Sequence, residues 1–205
     1  MRVSKLILPA VFALALAATP SALASGASSA PGTAATGGTG ISAPPAAPSA
    51  SSRPTVTASR PTVTGWKGKV VNGVAYAPSR APLPVQKAIW AGNKIRHKPY
   101  VWGGGHAAFA AAGYDCSGSV SYVLHAAGLL KTPFDSSDFM GWGQNGVGKW
   151  ITVYTNPSHA FVEIAGIRLD TSAEGDPHPS RGSGPRWRPL MSSTGGFEAR
   201  HPSGY

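Results

Sequence analysis

"YDCSGSVSYVLHAAG" (residues 114–128) holds the chain's single cysteine, Cys116, and reads as the start of a helix. Val120, Val123, Leu124 and Ala127 recur at i, i+3, i+4 and i+7, and Gly128 is a stop signal at the far end. Asp115 is a good N-cap, which puts Cys116 in the first helical turn. There the unpaired N–H groups and the helix dipole favour an anion, so a thiolate is stabilised. Cys116 also lies four residues before Val120, on the apolar face. Its sulfur is therefore expected to point toward whatever the helix packs on, at the mouth of a cleft. Ser117 and Gly118 add small residues where backbone must approach a substrate.

The cysteine sits in a chain that reads as exported. Arg2 and Lys5 form a positive start, Leu6 to Ala18 is an apolar run too short to span a bilayer, and Ala22-Leu23-Ala24 fits a small-x-small cleavage site. Residues 1–24 thus read as a signal peptide, and the mature chain is expected outside the cytoplasm, with no membrane span. An idle thiol is a liability in an oxidising compartment. An inert buried thiol, an intermolecular disulfide and a nucleophile compete as explanations, and the helix N-terminal placement favours the nucleophile.

Residues 25–65 are almost wholly Ala, Ser, Thr, Gly and Pro, ending in the doubled heptapeptide "SRPTVTA"/"SRPTVTG". Such a segment buries too little apolar area to offset its ordering entropy and is expected to be a disordered linker. Folding signals begin near Trp66, and residues 66–205 suffice for one domain with a real core. The net charge is +10, and all eight acids fall at or after Asp115. That asymmetry favours an anionic partner, and for an exported chain an acidic wall polymer fits better than nucleic acid, for which no motif is present. One cysteine and scattered histidines do not make a zinc site, so no metal and no cofactor are expected.

A cysteine nucleophile usually needs a histidine, normally distant in sequence. His125 lies nine residues along the same helix, about 180° round from Cys116, and cannot help. His106 follows "WGGG" and has no orienting partner in view. His159 opens "HAFVEIAGIRLDTS" (159–172), the best hairpin signal in the chain. A two-residue turn at Ala165-Gly166 sets Glu163 opposite Arg168 and leaves Ala160, Val162, Ile164, Ile167 and Leu169 on one apolar face. The other face carries His159, Phe161, Glu163, Arg168, Asp170 and Ser172. Asp170 is then diagonal to His159, where a carboxylate fixes the tautomer and steadies the imidazolium; Ser172, directly opposite, is the weaker alternative.

"PYVWGGGH", "YDCSGSVSYVLHAAGLL" and "SHAFVEIAG" together resemble the NlpC-type cysteine peptidases of bacterial cell walls, over roughly residues 83–172. The resemblance implies a papain-like α+β core, with a nucleophile helix packed on a small antiparallel sheet and the histidine on a strand. It implies hydrolysis of peptidoglycan stem peptides between D-glutamate, through its γ-carboxyl, and the diamino acid. Cys116 then matches the nucleophile and His159 the general base, with Asp170 in the third position, often His, Asn or Gln in the family. Tyr100, Asp115 and Ser117 match positions that contact substrate. Arg186, beside Trp187 in "GSGPRWRPL" (182–190), is a candidate for the stem-peptide carboxylate, outside the matched motifs; the alternative is a strand stitched onto the sheet. The extra glycine and His106 depart from the usual Gly-Gly pattern. The chain is read as a monomer. An acyltransferase or amidase on the same scaffold, and an inactive wall-binding protein, are the alternatives.

Overall fold

The computed structural model describes residues 60–179 and 182–205, all within the compact unit Ser52–Tyr205. The signal peptide and residues 25–59 of the linker lie outside the described residues.

Helix α1 (Leu83–Ile95) forms where the apolar stripe and the flanking prolines place it, burying Val85, Ala88, Ile89, Gly92 and Ile95. Helix α2 (Cys116–Ala126) starts as its cap dictates: Asp115 is extended and its side chain accepts from the Gly118 amide. A short helix α3 (Ser136–Met140) opens on a capping box between Asp135 and Asp138. The remaining elements are strands: β1 (Thr62–Val63), β2 (Lys69–Val71), β3 (Val74–Pro78), β4 (Gln144–Asn145), β5 (Ile151–Asn156), β6 (His159–Ile164), β7 (Ile167–Asp170), β8 (Arg186–Arg188) and β9 (Glu198–His201). Three helices and two sheets make a mixed α+β fold.

The larger sheet is antiparallel throughout, in the order β4-β9-β5-β6-β7-β8. The β6–β7 hairpin turns at Ala165-Gly166, both at positive φ, and pairs Val162 with Leu169, Glu163 with Arg168 and Ile164 with Ile167. Alanine at φ 51° is the strained member of that turn. Residues 186–188 are the stitched strand, pairing Asp170 with Arg186 and Arg168 with Arg188.

Both helices pack on one face of this sheet. Val85 and Ile89 of α1, Val120, Val123 and Leu124 of α2, and Val153, Val162, Ile164 and Leu169 of the sheet share one core. Each fully buried aliphatic side chain contributes about 1.5–3 kcal/mol relative to exposure. The opposite face is also covered. Phe161 stacks on Tyr154 at 5.1 Å, meets Phe197 edge-on at 5.1 Å, and carries the Arg168 guanidinium 5.7 Å above its ring. Phe161 and Arg168 are therefore fully buried although they lie on the polar side of the hairpin.

The fold begins before Trp66. Thr62 and Val63, at the end of the segment that composition assigns to the linker, pair in parallel with Ala77 and Pro78. The Trp90 indole N–H donates to the Pro61 carbonyl at 3.0 Å, and Arg60 lies over the Trp90 ring at 5.2 Å. The β-branched pair Thr62-Val63 finds a free strand edge, which composition averaged over forty residues conceals. No helix among the described residues is long and apolar enough to cross a membrane.

Candidate active site

Cys116 is the first residue of α2, and α2 packs against β6, the strand that begins with His159. By helix geometry the N–H groups of Cys116 and Ser117 have no carbonyl within the helix to reach. The backbone around them is held very close. Gly118 approaches the carbonyl of Gly104 so tightly that a Cβ there collides with it. The Gly103-Gly104-Gly105 loop is thereby pressed onto the first turn of α2, and Asp115 N donates to Gly104 O at 3.2 Å.

His159 is ordered by Asp170. Its Nε2 lies 2.9 Å from Asp170 Oδ1, which also accepts from the Ser172 amide at 2.8 Å. Nδ1 is the ring nitrogen left for the thiol. Asp170 is 1% exposed, and its Oδ2 faces the fully buried guanidinium of Arg168 at 3.6 Å. Arg168 is itself fixed by a 2.7 Å bond from Nη2 to the Glu174 carbonyl. Arg188 Nε donates to the Asp170 carbonyl at 3.3 Å. Sequence reasoning placed Arg168 on the His159 face but assigned it no role; the signal was that parity alone.

The electrostatics follow from this packing. Burial pushes the Cys116 thiol up, but hydrogen bonds from His159 and the Ala160 amide and the charge of His159 outweigh it, so the thiol lies below its ordinary value. Burial pulls His159 down, but the bond to Asp170, the bond to Cys116 and both charges raise it to about 10. Both shifts favour the thiolate–imidazolium form of the pair.

His106 does have a carboxylate partner, contrary to the sequence reading. Its Nε2 lies 3.0 Å from Asp115 Oδ1 and 3.2 Å from Ser117 Oγ. The glycine loop brings it there, an approach no periodicity announces. Asp115 is nearly saturated: Oδ1 also accepts from Gly118 N at 2.7 Å, and Oδ2 from Gly103 N at 3.0 Å. It serves first as a cap and as the anchor of His106. His159 and the Ala160 amide lower the Cys116 thiol, and the charge of Asp115 raises it.

A cleft of about 710 Å³ opens beside Cys116, bounded by Trp102, His106, Asp115, Ser117, Asp135 and Ser158 among others. Asp115 and Ser117 thus border it. Tyr100 is partly exposed and does not line this cleft; burial and then the charges of Cys116 and Asp115 raise its phenol. Arg186 is not brought to this cleft. Its Nη1 donates to the carbonyls of Lys98 at 3.2 Å and Pro185 at 2.8 Å, and the side chain lines a separate pocket. Pairing of β8 with β7 turns it toward the end of α1. No group of three or more metal-ligating side chains occurs among the described residues.

No family model matches the chain, and no curated protein matches it significantly. Solved structures do resemble it. The peptidoglycan hydrolase RipB of Mycobacterium tuberculosis is 21% identical, over 56% of this chain and 71% of its own, with a TM-score of 0.36. An NlpC/P60 family protein of Bacillus cereus is 19% identical over 57% of this chain, which spans only 39% of that protein, with a TM-score of 0.42. RipD of Mycobacterium tuberculosis, described as a non-catalytic NlpC/p60 domain protein adapted to peptidoglycan binding, is 21% identical over 54% of this chain and all of its own, with a TM-score of 0.38.

Proposed function

We propose that the protein is a secreted NlpC/P60-type cysteine peptidase that hydrolyses amide bonds in peptidoglycan stem peptides, at the bond between the D-glutamate γ-carboxyl and the diamino acid. The observation that carries this reading is geometric: Cys116 opens α2, α2 packs on β6, and β6 opens with His159, whose Nε2 is held at 2.9 Å by buried Asp170. In this reading the Cys116 thiolate attacks the amide carbonyl and forms the C–S bond. The N–H of Cys116 and its neighbours in the first turn of α2 stabilise the oxyanion. His159 gives its Nδ1 proton to the leaving amine as the C–N bond breaks. Water, deprotonated by His159, then hydrolyses the thioester and frees the thiolate. Asp170 holds the ring and stabilises its charge, with Arg168 fixing Asp170 from behind. Ser117 borders the substrate.

Mass spectrometry of purified muropeptides incubated with the mature chain tests this. Products with free carboxyl and amine ends, lost in Cys116→Ala, are expected. Transfer to an added amine instead of water identifies an acyltransferase. Binding without any product identifies a wall-binding protein, against which the intact Cys–His–Asp arrangement weighs.

A further inference from the structure

A second concavity, of about 430 Å³, lies away from the Cys116 cleft and shares no lining residue with it. Its walls come from four places: Arg96 and His97 just past α1, Asn72 and Gly73 in the β2–β3 turn, Asp176 and His178 before β8, and Arg186 and Trp187 on β8. Arg96, His97, His178 and Arg186 converge on it. Asp176, the one acid in its lining, is already paired with Arg188 Nη1 at 3.0 Å.

The two arginines are held in place but not used up. Arg186 is anchored through Nη1 alone, to the carbonyls of Lys98 and Pro185, which leaves Nη2 and Nε. Burial and, second, the charge of Arg188 lower its affinity for its proton. Arg96 donates through Nη1 to the Asn93 carbonyl, while its Nε is buried with no partner. The floor is rigid: the Trp187 indole N–H donates to Asn93 Oδ1 at 3.0 Å. A guanidinium fixed on one edge presents its other donors in a geometry that matches an oxyanion. The Cys116 cleft has the opposite character, with Asp115 and Asp135 in its lining and no Lys or Arg.

We propose that this pocket is an exosite for oxyanions, phosphodiester or carboxylate, through which the protein holds a polyanion while the Cys116 cleft works on a different segment of its surroundings. That the polyanion belongs to a bacterial wall rests on the function proposed above; the anion chemistry of the pocket does not.

Co-sedimentation of the mature chain with purified sacculi tests it. Arg96→Gln/His178→Gln is compared with Lys87→Gln/Lys131→Gln, which removes at least as much charge at exposed sites elsewhere. The pocket variant is expected to need about tenfold more sacculi for half-retention, with a weaker salt dependence, and the control to stay near wild type. Sacculi stripped of phosphate polymers with hydrofluoric acid separate the sources. A defect only on untreated sacculi assigns phosphodiesters, and a defect on both assigns carboxylates. Equal loss in both double variants means a diffuse basic surface and overturns the exosite, as does wild-type retention by the pocket variant. If circular dichroism shows Arg96→Gln/His178→Gln unfolded, His97→Gln/His178→Gln, at two exposed positions, is judged by the same outcomes. Cleavage of small soluble muropeptides is measured in parallel. It is expected to be unchanged in both variants, and its absence from the wild type sinks the peptidase reading without touching the exosite.

Discussion

Asp170→Asn isolates what the buried carboxylate does. His159 rises from 6.5 to about 10, which corresponds to roughly 5 kcal/mol in favour of the imidazolium. Two of the four raising influences are Asp170's, its hydrogen bond the largest of them and its charge the third, so removing it forfeits about 2–3 kcal/mol. Asparagine keeps the shape and one acceptor oxygen for Nε2 but loses the charge. At pH 7, kcat/KM on a defined stem peptide should fall about thirty- to a hundredfold. The alkaline limb of the pH profile, near 10 in the wild type, should move to lower pH in the variant. Because Cys116 is the only cysteine in the chain, iodoacetamide alkylation reads its thiolate without interference. Wild-type alkylation should persist below the ordinary thiol range, and the variant's profile should shift upward. The substitution also strips Arg168 of its buried counter-ion, at a stability cost of about 3–5 kcal/mol, so all rates are taken below the variant's melting temperature. A variant with unchanged turnover and an unchanged alkylation profile would refute the assignment of Asp170.

Cys116→Ala should abolish cleavage while circular dichroism and melting temperature stay close to wild type, since alanine keeps the helix start. Ser172→Ala should leave kcat/KM within about twofold, because Ser172 reaches Asp170 through its backbone amide and not its hydroxyl; a large loss in steady-state assays means the hydroxyl is used. Gly118→Ala should cost about 3 kcal/mol in denaturant titrations, since its methyl group meets the Gly104 carbonyl and backbone must move; an unshifted midpoint contradicts the close approach. Stability contributed by the raised His159 is fully present below about pH 6.5 and disappears as pH climbs through about 10, so the melting temperature should decline across that window in wild type and less so in His159→Gln.

The parts of this fold that sequence reveals are those set by local rules. Period-two alternation places Asp170 on the His159 face, and the 2.9 Å contact agrees with it. Asp115 as a cap puts Cys116 at the start of α2, and the stripe of α1 follows from its period. What stays hidden is set by chain returns. Strand β9, the last in sequence, inserts between β4 and β5, and β8 turns Arg186 away from the thiol. The polar side of the hairpin is buried because Phe197 and Tyr154 close over Phe161, which no alternation along β6 implies. The His106–Asp115 pair depends on two glycine segments meeting at van der Waals distance, and single-residue propensities carry no trace of such a meeting.

The pairing of β1 with β3 also sets how the domain bears mechanical load. Tension arriving along the chain that precedes Arg60 meets, within three residues, the Pro61 carbonyl bonded to both Ala77 N and the Trp90 indole, then the Val63 carbonyl bonded to Ser79 N. These bonds lie side by side on a parallel strand pair, so a pull along the strand strains them together in shear and does not unzip them singly. The grip passes directly into α1 through Trp90, and from α1 into the core shared with α2. Trp90 is therefore the point at which a pull on the leading segment enters the core, and losing its bond to Pro61 would leave β1 held by β3 alone.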